Sequence, residues 1–163
     1  MLMLRPGPRR GLRRGTSATS WYDAGCRLEA SEPQRAIAAY ERALAGCPHL
    51  ADAHNNLGRL LHDAGSLAAA ESSYRLAICA DAGVALYWFN LGVVVEDQGR
   101  RAEAVAAYER ALVLDPAAAD AHYNLARLLE LAGRRIGDEV MLRRAVRHLL
   151  QYRALTGRNA SAR

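Results

Sequence analysis

The sequence predicts an all-α fold, a solenoid of paired helices, from three observations. Columns of identical residues recur every 34 positions: Ala36, Ala70 and Ala104; Tyr40, Tyr74 and Tyr108; Ala43, Ala77 and Ala111. A companion column, Gly25, Gly58, Gly92 and Ala126, steps by 33, 34 and 34. Within a period the apolar residues keep helical spacing, and a glycine interrupts it at Gly65, Gly99 and Gly133. A period of this length marks an array in which each unit buries its apolar face only against its neighbours.

The elements follow in order. The first unit, about residues 21–50, opens on Trp21-Tyr22 and Gly25, and Ser31-Glu32-Pro33 replaces its internal glycine with one residue fewer. In the second, about 51–84, Ala53, Leu57, Leu60, Leu61 and Ala64 share one helical face while Asp52, Asn55, Asn56, Arg59, His62 and Asp63 take the others. Asp63-Ala64-Gly65-Ser66 ends that helix, because glycine tolerates the left-handed backbone of a helix end and Ser66 can cap the next. The partner helix is expected from about Leu67 to Cys79. The third unit, about 85–118, repeats the pattern; Pro48 and Pro116 close the first and third units, with Ala82 in the second. The glycine and alanine columns fall where paired helices need small residues, and a large side chain there would overpack the contact by roughly 1–3 kcal/mol.

The fourth unit, about 119–155, departs from the pattern with about seven extra residues near 134–144. Asp138 can cap a longer helix from about Glu139 to Leu155, with Val140, Ala145, Val146, Leu149 and Tyr152 on its apolar face. Arg143, Arg144, Arg147 and Arg153 lie on the other face. A solenoid end needs a polar outer surface, so this reads as a C-terminal capping helix, with a basic docking helix for an acidic partner as the alternative. Residues 156–163 are expected to be a flexible C-terminus.

Trp21-Tyr22 with Gly25, Asn56-Leu57-Gly58, Trp88-Phe89-Asn90-Leu91-Gly92 and Tyr123-Asn124-Leu125-Ala126 open the four units. Together with the alanine, tyrosine and proline positions they resemble the tetratricopeptide repeat, whose pattern is W-x2-L-G-x2-Y, A-x3-F, then P. The resemblance covers roughly residues 21–155. It implies a right-handed superhelix of helix-turn-helix units whose first helices line a concave side, where extended peptides commonly bind.

On that side Asn56, Asn90 and Asn124 recur in register, with Asp23 in the first unit. Asparagine is a mediocre helix former, so its repetition inside helices is mildly costly. An amide offers donors and an acceptor that suit a peptide backbone, although the same amides could instead bond within the scaffold. One turn later stand Arg59 and Arg127, with Val93 between them, and one residue earlier are Asn55, Phe89 and Tyr123. Arginine can grip a carboxylate bidentately, and the aromatics supply anchoring area. These eight residues, Asn55, Asn56, Arg59, Phe89, Asn90, Tyr123, Asn124 and Arg127, form the expected peptide-binding set. Asp52, Asp63, Glu96, Asp97, Asp120 and Glu130 lie nearby, so the groove is mixed in charge and a purely acidic ligand is not favoured. Chaperone-tail binders similar to this family use a basic carboxylate clamp, and Tyr22, Cys26, Leu86 and Asn90 stand where it would need basic or amide groups.

Charge is unevenly spread along the 163 residues, and all 22 basic residues are arginine. Residues 1–20 carry Arg5, Arg9, Arg10, Arg13 and Arg14 and no acid, so they read as a basic, disordered tail. Residues 21–133 hold 9 Arg against 15 acids, whereas residues 134–163 hold 8 Arg against Asp138 and Glu139. Only the tail offers contact with nucleic acid, and no aromatic is interleaved there to stack a base. No apolar run approaches a membrane span, Met1-Leu2-Met3-Leu4 is too short for a signal segment, and a cytoplasmic location is the default. Cys26, Cys47 and Cys79 lack metal or disulfide spacing and are expected to be small, buried or half-buried side chains. His54 and His122 fall in the column of Trp21 and Trp88, which suggests packing or boundary roles. No catalytic, phosphate-loop or metal motif occurs, so neither catalysis, a cofactor nor a metal is expected.

The favoured function is a non-enzymatic adaptor for a peptide or protein segment, with self-association through the solenoid ends as a further possibility. The alternative is a regulatory fragment of a larger protein, since similar arrays occur fused to bacterial helix-turn-helix regulators and to glycosyltransferases.

Overall fold

The computed structural model describes residues 17–161, and these contain eight helices and no strand. They are α1 (Ala18–Leu28), α2 (Pro33–Gly46), α3 (Ala51–Asp63), α4 (Leu67–Ala80), α5 (Ala85–Asp97), α6 (Arg101–Leu114), α7 (Ala119–Ile136) and α8 (Glu139–Ser161). The most extensive contacts lie within the pairs α1/α2, α3/α4, α5/α6 and α7/α8, so each sequence unit is one helical hairpin. Each second helix then packs on the next first helix, as α2 on α3 and α4 on α5. The result is an all-α solenoid.

Local chemistry explains the joints. Gly65 and Gly99 adopt φ of 77° and 80°, the left-handed backbone that lets a helix stop and reverse. Across those turns the Ser66 and Arg100 amides reach back to the Leu61 and Val95 carbonyls at 2.8 and 2.9 Å. Ser66 accepts no capping hydrogen bond on its side chain, so these backbone bonds, not the hydroxyl, fix the turn. In the first unit Pro33 sits at the start of α2, where its missing N–H costs nothing.

Small residues seat the helix pairs. Ala36, Ala70 and Ala104 are fully buried, as are Ala43, Ala77 and Ala111. Gly25, Gly58 and Gly92 each lie beneath the ring of the tyrosine in the same unit, Tyr40, Tyr74 or Tyr108. One apolar cluster runs from Ala70 through Leu91, Tyr108 and Leu125 to Ala145. A second gathers Ala36, Tyr40, Ala53, Leu57 and Leu60, and Leu61 packs against both.

Several boundaries differ from the sequence expectation. Ser17 caps α1 by accepting the Ser20 N–H at 3.1 Å, so residues 18–20 are helix and not tail. The expectation for residues 1–16 lies outside the described residues. At the other end α8 continues to Ser161, past the expected break at residue 156. The extra residues of the fourth unit do not form a long turn. α7 runs through Gly133 to Ile136, Gly137 takes the left-handed stop at φ 69°, and the Asp138 amide bonds the Gly133 carbonyl at 2.9 Å. Asp138 then caps α8, accepting from the Val140 and Met141 amides at 2.8 and 3.1 Å.

Two burial expectations are also corrected. Val140 and Val146 are 66% and 58% exposed, because α8 turns Ala145, with the half-buried Leu142, Leu149 and Tyr152, inward instead. All three cysteines are exposed, although Cys26 Sγ lies 3.3 Å from the Tyr40 hydroxyl of α2.

Candidate functional site

The first helices lie side by side and parallel, as constant-offset bonds show. The Tyr87 hydroxyl donates to Asp52 Oδ1 at 2.5 Å, Asn90 Nδ2 donates to Asn55 Oδ1 at 2.8 Å, and His62 Nε2 meets Asp97 Oδ2 at 2.6 Å. α4 meets the next second helix through long side chains, Arg75 with Glu103 of α6 at 3.5 Å and Glu71 with Arg100, the residue that leads into α6, at 2.6 Å. At the middle of the array α3 also approaches α5 in backbone, which places the first helices on the tighter, inner wall.

Along that wall a four-residue network appears twice. The Tyr40 hydroxyl donates to Glu29 Oε1 at 2.5 Å and accepts from Asn56 Nδ2 at 3.3 Å, while Arg59 is ion-paired to the same Glu29. Two units on, the Tyr108 hydroxyl donates to Glu96 Oε2 at 3.0 Å and accepts from Asn124 Nδ2 at 3.4 Å, and Arg127 is ion-paired to Glu96. Burial first, then Cys26 and Glu29, push the Tyr40 hydroxyl far above its usual pKa; burial and then Glu96 do the same for Tyr108. Both phenols therefore stay protonated donors. Each network ties two consecutive units across their shared joint.

The joint between the second and third units is built differently. His62 occupies the glutamate position and Val93 the arginine position, so no clamp forms there. His62 pairs instead with Asp97, and Asn90 turns to Asn55, which itself donates to Asn56 at 3.3 Å. Among the described residues Tyr74 has no carboxylate on its hydroxyl, and burial, followed by Asp63, lifts its pKa to about 12.

The expected binding residues are thus gathered on one wall, but most already have partners in the scaffold. Asn55 is 5% exposed, and Asn56, Asn90 and Asn124 each donate to a neighbouring side chain. Arg59 and Arg127 are engaged by Glu29 and Glu96. Phe89 is half-buried and tilts against Tyr108 with ring centroids 5.7 Å apart. Tyr123 is 45% exposed and leans on Tyr152 at 5.2 Å. Beside Phe89 a notch of about 200 Å³ opens between the starts of α5 and α7, walled by Ala85, Leu86, Phe89, Ala119 and Ala121 with Asp115 and Asp120 at its edge. Leu86 is 52% exposed there. The glutamate-tyrosine half of each clamp and the open notch are what the sequence reading missed. The matching alternation of Glu29 with Arg59 and Glu96 with Arg127 was the available signal for the clamps.

The tryptophan-histidine column has its own function. His54 Nε2, Trp88 Nε1 and His122 Nε2 each donate to the carbonyl six residues earlier, at Pro48, Ala82 and Pro116, with lengths of 2.9, 3.0 and 3.1 Å. A carbonyl only accepts, so these nitrogens carry protons. The column pins each inter-unit turn to the helix that follows.

Known proteins bear the same architecture. A family described as "Tetratricopeptide repeat" matches residues 27–85, and one described as "TPR repeat" matches residues 97–133. No curated protein matches the sequence. Among solved structures, "Crystal structure of MamA" superposes with a TM-score of 0.79 at 19% identity, covering 90% of this chain and 82% of that one. MamA residues 41-end from Desulfovibrio magneticus RS-1 give 0.72 at 20% identity, covering 86% and 76%. The "First TPR of Spaghetti (RPAP3) bound to HSP90 peptide SRMEEVD" gives 0.69 at 20% identity, covering 72% and 94%. Among the described residues no helix is long and apolar enough to cross a membrane, and no His, Cys, Asp and Glu cluster could hold a metal.

Proposed function

Because the chain belongs to the tetratricopeptide repeat family, we propose that it is a non-enzymatic scaffold that holds an extended segment of a protein partner along its first helices. The open notch beside Leu86 and Phe89 carries this reading. It is a concave, apolar opening flanked by carboxylates, with the 52% exposed Leu86 and the half-buried Phe89 on its wall. Such features suit an anchoring side chain of a bound peptide.

The asparagine ladder and the two arginines enter this reading mainly as the framework of the groove. Asn56, Asn124, Arg59 and Arg127 hold consecutive units in register. The RPAP3 neighbour is bound to a peptide ending in acidic residues. In this chain both inner-wall arginines already neutralise glutamates, so acidic tails are the poorer class of ligand.

Peptides selected by display on the immobilised chain test the proposal, with affinities measured by calorimetry on wild type, Leu86→Ala and Leu86→Glu. Loss of at least about tenfold in both variants, with unchanged melting, is expected for a central anchor. Retention of full affinity by both variants would move the binding surface elsewhere.

A further inference from the structure

With Arg59 and Arg127 neutralised by Glu29 and Glu96, the unclamped charge on the inner wall is acidic. Asp23 and Asp120 are exposed and make no ion pair among the described residues, and Asp52 meets only the Tyr87 hydroxyl. Asp120 and Asp115 border the notch, whose remaining walls are apolar. The wall therefore favours a ligand with several cationic groups and a short apolar stretch.

The chain contains such a segment. The sixteen residues before Ser17 hold Arg5, Arg9, Arg10, Arg13 and Arg14, no acid, and the apolar run Met1-Leu2-Met3-Leu4. They join α1 at Ala18, at the same end of the parallel first helices as Asp23, Asp52, Asp120 and the notch. Three helix spacings of about 10 Å separate α1 from α7, roughly 30 Å in all. Sixteen extended residues span up to about 50 Å. Reach and charge both allow the arginines to pass Asp23 and Asp52 while the apolar run meets the notch.

We infer that residues 1–16 are an intramolecular occupant of the inner wall, competing with outside ligands for it; the inference rests on the groove reading above. Tethering gives such a segment an effective concentration in the millimolar range, enough to mask a groove that holds it with a Kd of about 0.1 mM. Contact between arginines and carboxylates makes the masking sensitive to salt.

The test compares two full-length chains, wild type and one carrying Arg5→Gln, Arg9→Gln, Arg10→Gln, Arg13→Gln and Arg14→Gln. The probe is a fluorescent synthetic peptide of residues 1–16, followed by anisotropy at low and high salt. The neutralised chain is expected to bind the peptide about tenfold more tightly than wild type, because the tethered competitor is gone. Adding Asp23→Asn and Asp120→Asn to the neutralised chain is expected to weaken binding, as is added salt. Equal binding by both chains, no binding by the neutralised chain, or indifference to Asp23→Asn and Asp120→Asn overturns the inference. So does a wild-type dimer that the arginine substitutions dissolve, since the segment would then occupy a second copy. A displayed peptide that requires Leu86 yet binds both chains equally would leave the groove standing and remove only the self-occupancy.

Discussion

Gly58 lies bare against the ring of Tyr74: a Cβ built on it would stand 2.8 Å from Cε1 and 2.9 Å from Cδ1 of that ring. Tyr74 is 2% exposed and hemmed in, so the ring cannot swing away. Gly58→Ala is expected to destabilise the chain by about 1–3 kcal/mol, and Gly58→Leu by more. A drop of several degrees in the calorimetric melting temperature is the readout. The fourth unit carries Ala126 and Leu149 at the corresponding positions, a smaller partner with a larger seat. In a Tyr74→Leu background Gly58→Ala should therefore cost less, and strict additivity of the two changes would refute the contact as its cause.

The pinned turns make a second prediction. His54 is 8% exposed, and its Nε2 satisfies the Pro48 carbonyl at 2.9 Å. His54→Phe fills a similar volume but leaves that carbonyl without its donor, at a cost of about 1–3 kcal/mol. His54→Trp restores an N–H in the arrangement that Trp88 uses toward Ala82 and should lose much less. Urea unfolding of the two variants decides it; equal losses would mean that volume, not the hydrogen bond, governs the site.

These residues also show what the sequence made legible. Period, helix pairing and the small-residue joints could be read directly, because a repeated unit writes the same packing demand several times. Gly133 misled because it sits in the mid-unit glycine column, yet α7 continues past it and Gly137 makes the turn. The asparagines were legible as inward-facing, but not the partners of their amides. Those partners, Tyr40 and Tyr108, lie 16 residues away on the preceding helix, and only the stacking of units brings them together. Val140 and Val146 were assigned to the buried face of α8 because the insertion left the register of that helix dependent on a single aligned alanine, Ala145.

A third prediction concerns pH. With both rings neutral, His122 donates from Nε2 to the Pro116 carbonyl, which leaves its Nδ1 to accept from His148 Nδ1–H at 2.8 Å across the α7/α8 joint. Burial, then His122 and Arg144, hold the His148 pKa below its ordinary value of 6.5, with Arg147 adding to the effect and Glu109 opposing it. The unfolded chain therefore takes up this proton at a higher pH than the folded chain does. Stability from this site is full above the unfolded pKa and falls as pH drops through the window down to the depressed folded value. The melting temperature of wild type should fall more between pH 7.5 and pH 5.5 than that of His148→Gln, which has no proton to gain at this position. Identical decreases in the two proteins would rule out His148 as the source.

The fourth prediction separates framework from ligand contact. Arg127 is ion-paired to Glu96, whose other oxygen accepts the Tyr108 hydroxyl at 3.0 Å, and Glu96 is only 15% exposed. Removing the arginine leaves a largely shielded carboxylate with one donor fewer, so Arg127→Ala should destabilise the chain without any ligand present. Arg127 is about half exposed, and solvent screening keeps the expected coupling in an Arg127→Ala/Glu96→Gln cycle to about 1 kcal/mol. Tyr108→Phe should reduce that coupling further, because the hydroxyl helps hold Glu96 in place. Chemical unfolding of the four chains of the cycle gives the number. A coupling near zero, together with unimpaired stability of Arg127→Ala, would return the arginine to the set of residues free to meet a ligand.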